Sequence, residues 1–308
     1  MSTCGMSSPA SDQTKTDPEA LPPAGLPVRR LRHPGRWLAG AAVVLVLALL
    51  VQAFAAGNIR WPIVGEFLTA PVIIKGFGWT LLITFCALAL GVLLGFGFGM
   101  MRLSANPVLR FAAWLYVWIF RGTPVLLQLL IWFNIALIFP RLYFPGLIDA
   151  RMVDVITPFV AAVLGLGVNE GSYLTEVVRG GIGAVDRGQV EAANTLGMTP
   201  GQTMRRIILP QTMRLVLPTL GNSAVGMLKF SSLAATIAMT EMLNAAQRIY
   251  FINGAVIELL FVCAIWYLAG TTVLSIGQYY LERHFGRSSA VSVPRRNWLR
   301  RATAGAQA

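Results

Sequence analysis

The chain has 308 residues, 56% hydrophobic and only 12% charged, with a formal net charge of +12 and a mean hydropathy of +0.64. Soluble proteins carry about a quarter charged residues, so this composition excludes a water-soluble globular protein and points to membrane-spanning helices. The basic residues flank apolar runs, where anionic lipid and topology account for them better than nucleic acid. Three scattered cysteines and two isolated histidines leave no material for a disulfide framework or a metal site.

Residues 1–36 are rich in Pro, Ser and Ala and carry five basic side chains, the composition of a disordered basic tail. An uncharged apolar run at 37–56 follows, long enough at about 1.5 Å per residue to cross a hydrocarbon layer about 30 Å thick. A cleaved signal peptide is its rival reading, since Ala53-Phe54-Ala55 resembles a cleavage site. The stretch ahead of the run, however, exceeds the usual length of about 15–30 residues for a whole signal. Residues 57–75 are expected as an outer connection. Further apolar stretches lie at 77–101, about 111–139, 158–178, about 215–238 and 255–281.

Within the second stretch Gly91, Gly95 and Gly99 repeat every fourth residue, a small face that lets helices approach closely in lipid. The third stretch contains Pro124, which cannot continue a hydrogen-bonded helix without a kink. Thr123-Pro124 suits an N-cap and first helical position. The sequence therefore predicts a separate amphipathic or interfacial helix over 106–120, with the crossing starting at Pro124 and ending before Pro140.

Placing both termini inside puts eighteen Lys and Arg residues on inner segments. Five (Arg60, Lys75, Arg141, Arg151 and Arg248) fall on outer ones. This positive-inside bias makes residues 179–211 a cytoplasmic loop and 284–308 a second basic cytoplasmic tail. The expected fold class is an all-α polytopic membrane protein with six spans and both termini cytoplasmic.

The loop is more elaborate than a simple connection needs. Residues 189–196 read as a short helix with Glu191 in its first turn, where a negative charge suits the helix dipole. Gly197 then supplies the left-handed residue that ends it. A second helix opens with Thr199 as N-cap, Pro200 at the first position and Gln202 at the third, a capping box, and Pro210 is expected to close it. An amphipathic hairpin lying on lipid is one reading of this segment; a rigid knob gripped by another protein is the other.

The spacing of Glu191-Ala192-Ala193, Gly197, Ile207 and Leu209-Pro210 resembles the EAA loop of ATP-binding-cassette importer permeases. Phe120-Arg121-Gly122-Thr123-Pro124, Gln128, Tyr173, Glu176, Arg179-Gly180-Gly181-Ile182, Pro218, Asn222, Lys229 and Ser231-Ser232-Leu233 are similar to the polar-amino-acid branch of that family (histidine, glutamine, glutamate and arginine permeases). The chain departs from it at Phe230, where many relatives carry a polar residue. The resemblance implies a five-helix importer-permease core over 76–283, with the 37–56 helix as an addition. It also implies that Glu191, Ala192, Ala193 and Gly197 couple the pathway to a cytoplasmic ATPase, with Arg205 and Arg206 as further polar contacts.

Charges at bilayer depth are costly and mark functional candidates, and four are expected along the substrate pathway: Glu170, Lys229, Arg121 and Glu176. Glu170 lies about 18 Å into its span by helix rise and is the preferred acceptor for a substrate ammonium. Arg121 and Lys229 are candidates for the substrate carboxylate. Each has a structural alternative: Arg121 near the inner face reaches lipid phosphate, Glu176 pairs with Arg179 as a structural pair or gate lock, and Glu170 pairs with Lys229.

The resemblance implies a permease subunit of an ATP-driven amino-acid importer in the bacterial cytoplasmic (inner) membrane. Its partners would be a dimer of ATP-binding subunits, a second permease chain, identical or a sister, and a periplasmic solute-binding protein. No catalysis is expected of this chain: its only lysines, Lys15, Lys75 and Lys229, fall in no GxxxxGK[ST] loop, and no cofactor or metal is expected. The alternative is a secondary transporter of a small polar solute driven by an ion gradient.

Overall fold

The computed structural model describes residues 34–145 and 148–286. The tail expectations for 1–33 and 287–308, with the basic residues counted there, lie outside the described residues. The chain divides after Asn58 into two units. In the first, α1 (Pro34–Ala56) is one unbroken helix, apolar around its whole circumference, as a helix surrounded by lipid must be.

In the second unit the elements run α2 (Trp61–Leu68), α3 (Pro71–Arg102), α4 (Pro107–Gly122), α5 (Val125–Phe133), β1 (Arg141–Phe144), β2 (Ile148–Arg151), α6 (Met152–Val155), α7 (Pro158–Gly183), α8 (Arg187–Thr195), α9 (Pro200–Thr203), α10 (Leu209–Phe230), α11 (Met242–Asn253) and α12 (Val256–Gly286). The expectation of an all-α chain needs one amendment. β1 and β2 form an antiparallel hairpin in which Leu142 faces Ala150 and Tyr143 faces Asp149. Aromatic and branched residues favour the extended pairing there.

The connection expected at 57–75 is folded. Prolines in the first turns of α2 and α3 start both helices, and α3 begins at Pro71. The backbone and side chain of Arg60 both donate to Glu258 of α12, at 3.2 and 2.9 Å, and Trp266 of α12 donates to the Leu68 carbonyl. Val64, Ile73, Met242, Leu259 and Val262 close the core beneath these contacts.

The third stretch is broken as expected, but differently. Thr123 is extended and belongs to the end of α4, and Pro124 is extended too and precedes α5. The residue before a proline is driven out of the helical region. The Thr123 hydroxyl donates to Ile119 O and accepts from Gln128 Nε2 at 2.7 Å, pinning the break. The two helices meet at 103°. With nine residues, about 13 Å, α5 is too short to cross alone. Nor is α4 merely interfacial: Ala113 and Tyr116 are buried, Tyr116 stacks on Phe98, and its hydroxyl donates to Val168 O of α7 at 2.7 Å.

The fifth stretch departs further. Pro210 does not close the second loop helix; helical backbone continues from Pro200 to Phe230. Immediately before Pro210 the turn widens, with Leu209 N–H donating to Met204 O five residues back. Proline lacks an N–H and its ring crowds the preceding turn, and the widened turn gives it room. Beyond Phe230 the chain tightens into a 3₁₀ segment at Ser231–Ile237, turns through left-handed Ala238, and restarts as α11 at 48°. Glu241 clasps this break: its carboxylate accepts from Asn244 N (2.7 Å), Thr80 Oγ1 of α3 (3.2 Å) and Tyr267 OH of α12 (3.1 Å).

Three described helices are long and apolar enough to cross a membrane, or five spans if each bent pair is one. The 26-residue α7 is less apolar because it lies among the other helices rather than in lipid. Its contact with α3 is the tightest in the molecule. A Cβ on Gly95 would lie 2.5 Å from Leu174 Cβ, on Gly99 2.8 Å from Val178, and on Gly167 2.9 Å from Ala87 O. The glycine repeat therefore receives Glu170, Leu174 and Val178 of α7, while Gly167 and Gly171 of α7 receive Leu90 and Leu94 of α3.

Gly95→Ala should accordingly destabilise the purified protein by about 1–3 kcal/mol, the usual range for overpacking. Gly97→Ala, on the same helix with open space around it, should be neutral or slightly stabilising. Thermal unfolding of both variants decides the matter: equal losses would contradict backbone contact at Gly95.

Candidate functional site

The loop after α7 folds into a compact hairpin. Asp186 caps α8 by accepting from Gly188 N at 2.6 Å, so the helix starts two residues before the expected position. Glu191 consequently sits in its second turn, and the dipole argument for it does not hold. The C-terminal end closes with two reversed hydrogen bonds, Met198 N to Ala193 O (3.1 Å) and Gly197 N to Asn194 O (3.0 Å). This Schellman arrangement needs a left-handed residue, and Gly197 has φ 74°. No heavy atom lies within 4 Å of a Cβ placed there, so backbone conformation alone requires the glycine.

The following helix opens with the expected capping box: Gln202 N donates to Thr199 Oγ1 and Thr199 N to Gln202 Oε1. Gln211 Nε2 of α10 reaches back to Gln189 Oε1 at 2.6 Å and ties the two arms together. Within the hairpin Ala193 and Thr203 are buried. Glu191, Ala192, Arg205 and Arg206 are exposed, the two arginines on the widened turn. Leu196 stands 81% exposed at the tip. Sequence reasoning passed it over, although a leucine directly ahead of the turn glycine was its signal.

The four charged residues singled out within the spans do not form one cluster. Glu170 is half-buried on α7, opposite Gly91 of α3 and in hydrogen-bonding reach of Ser223 on α10. Lys229 is exposed in the last turn of α10, beside exposed Phe230. The described residues contain no ion pair between Glu170 and Lys229. Glu176 pairs with Arg179 at 2.7 Å, as expected, and also with Arg102 of α3 at 3.3 Å. Arg121 lies over the ring of Tyr173, 4.9 Å from its centroid, in the same groove as Arg102 and Glu176. Asn169 Nδ2 of α7 and Gln128 Nε2 of α5 both donate to Phe120 O, anchoring the chain just ahead of Arg121.

Glu241 and Glu258 are buried charged residues that sequence reasoning missed; Glu258 is the partner of Arg60, and Glu241 holds the break before α11. It is fully buried, but the fifth stretch was read as ending at Ala238, which placed Glu241 in a loop. No group of three or more His, Cys, Asp or Glu side chains able to hold a metal occurs among the described residues.

Residues 87–287 match the family described as binding-protein-dependent transport system inner membrane component. The arginine transport system permease protein ArgU of Corynebacterium glutamicum is 39% identical over 270 residues, covering 87% of this chain and 85% of the relative. The glutamine transport system permease protein GlnP of Escherichia coli K12 is 32% identical over 224 residues, covering 72% and 94%. The crystal structure of an amino acid ABC transporter with histidines contains a chain 34% identical to this one, with TM-score 0.61 and coverage of 70% and 94%. An inward-facing MetNI methionine ABC transporter chain shares the fold at 17% identity and TM-score 0.58, covering 70% and 96%. The chain thus belongs to the inner membrane components of binding-protein-dependent transport systems.

Proposed function

We propose that this chain is the permease subunit of an ATP-driven importer of polar amino acids in the bacterial inner membrane, with its hairpin seated on a separate ATPase. The observation that carries the coupling role is the hairpin itself. It is doubly capped and cross-tied, yet Glu191, Ala192 and Leu196 face outward with no side-chain partner among the described residues. A firmly shaped surface with an exposed leucine suits a groove in another protein better than a free loop. Helical backbone runs unbroken from the hairpin at Pro200 to Phe230, so a displacement of the hairpin is carried into the middle of the bundle. The relatives named for arginine and glutamine transport support amino acids as the substrate class.

In this reading the six spans are α1, α3, the α4–α5 pair, α7, the α10–α11 pair and α12. Both termini and the hairpin are cytoplasmic, in keeping with the excess of basic residues on those segments. Two permease chains, identical or sister, frame the pathway. A periplasmic binding protein delivers the substrate, and a pair of ATP-binding subunits hydrolyses ATP, so the chain is not itself an enzyme. Nothing observed favours an ion-gradient mechanism.

The pathway proposal centres on Glu170 and Lys229. Glu170 lies about 18 Å along α7 where α3, α7 and α10 meet, and only glycine at position 91 leaves space beside it. A half-buried carboxylate there suits a substrate ammonium. Arg121 and Glu176 share a different groove, at the inner end of α7, and are set apart from this pathway.

Gly197→Val and Glu191→Lys should leave the protein inserted while solute uptake and substrate-stimulated ATP hydrolysis fall together by about tenfold, the equivalent of about 1.4 kcal/mol. Normal coupled transport in both variants would remove the hairpin from the mechanism. Glu170→Gln keeps the shape but removes the charge, and should raise KM for the transported amino acid about tenfold, as expected on losing a charge-assisted hydrogen bond. Unchanged KM and selectivity would return Glu170 to a packing role.

A further inference from the structure

We propose that the groove between α4 and the inner end of α7 binds the phosphate-bearing headgroup of an anionic phospholipid of the cytoplasmic leaflet. The groove holds about 510 Å³ and is lined by Arg102, Trp114, Trp118, Arg121, Tyr173 and Glu176. Its charge is unbalanced. Arg179 hydrogen-bonds Glu176 Oε2 at 2.7 Å and Arg102 ion-pairs with Oε1 at 3.3 Å, an oxygen that is buried without a hydrogen bond, so one carboxylate is shared by two guanidinium groups. Arg102 Nε is buried without a hydrogen-bond partner. Arg121 has no carboxylate partner among the described residues, and rests on Tyr173. Arg102 and Arg121 bring two guanidinium groups to one groove, and the exposed fork of Arg121 matches the bidentate geometry of a phosphate.

Depth and the aromatic wall identify the source of that phosphate. Counted from the start of α7 at Pro158, Tyr173 and Glu176 lie about 22 and 27 Å along the helix. That is the inner edge of a hydrocarbon layer about 30 Å thick. Trp114 and Trp118 stack with centroids 6.0 Å apart, and both are exposed. Tryptophans at that level present an apolar ring to glycerol and acyl chains with a polar edge toward the headgroups. A soluble phosphate would need no such wall. A transported amino acid would need a carboxylate for its ammonium, and the groove's one carboxylate already balances two guanidinium groups. The inference rests on the sidedness of the proposed reading, in which this end of α7 faces the cytoplasm, and not on ATP-driven transport.

The test uses the full chain in nanodiscs of mixed phosphatidylcholine and phosphatidylglycerol, with lipids retained on release counted by native mass spectrometry. The wild-type protein should retain phosphatidylglycerol in preference to phosphatidylcholine. Arg121→Gln should lower that retention about tenfold, the effect of one lost charge-assisted contact. Trp118→Ala, which keeps every charge, should also lower it. Arg110→Gln removes a charge from α4 outside the groove and should leave retention unchanged. Four results would overturn the proposal: equal retention of both lipids, full retention in Arg121→Gln and Trp118→Ala, an equal loss in Arg110→Gln, or displacement of the lipid by millimolar glycerol phosphate.

Discussion

Backbone contact between α3 and α7 sets the geometry of the rest of this protein. Lipid is as apolar as leucine, so helices in a membrane associate by packing and hydrogen bonds rather than by escape from water. Gly91, Gly95 and Gly99 on one helix and Gly167 and Gly171 on the other bring the backbones together. That contact fixes where Glu170, Tyr173 and Glu176 of α7 stand. It also leaves α4 to pack over the seam through Tyr116, whose hydroxyl would lie 2.6 Å from a Cβ on Gly171.

Around this rigid pair the chain places its irregular backbone. The α4–α5 and α10–α11 pairs both break within apolar stretches, and each break is held by a buried polar side chain: Gln128 at the first and Glu241 at the second. Non-helical backbone in a membrane must be satisfied by protein, and these residues do that work. The breaks divide the bundle into a fixed seam and two jointed segments. One of those segments, α10, is continuous with the hairpin, which is where an external driver would need to act.

Much of this was legible in the sequence because it follows from local chemistry. The left-handed Gly197 and the Thr199–Gln202 capping box are decided within a few residues, and so is the Glu176–Arg179 pair one helical turn apart. The glycine repeat announced a close helix contact but not which helix would meet it. What escaped depended on tertiary partners. Pro210 reads as a helix stop until a widened turn makes room for it, and Glu241 reads as a loop residue until Thr80 and Tyr267 close around it. Ala193 in the last turn of α8 and Leu196 at its C-cap take opposite fates, buried and exposed; only the fold of the hairpin distinguishes them.

The central claim is that this hairpin transmits the motion of a separate ATPase. Its most direct test is cross-linking from the tip: a Leu196→Cys chain otherwise free of cysteine, carrying a short bifunctional reagent, in membranes that express the whole transport system. The account predicts a cross-link to an ATP-binding subunit whose yield changes on nucleotide binding. Labelling of Leu196→Cys from the external face, or cross-links to lipid alone, would contradict it.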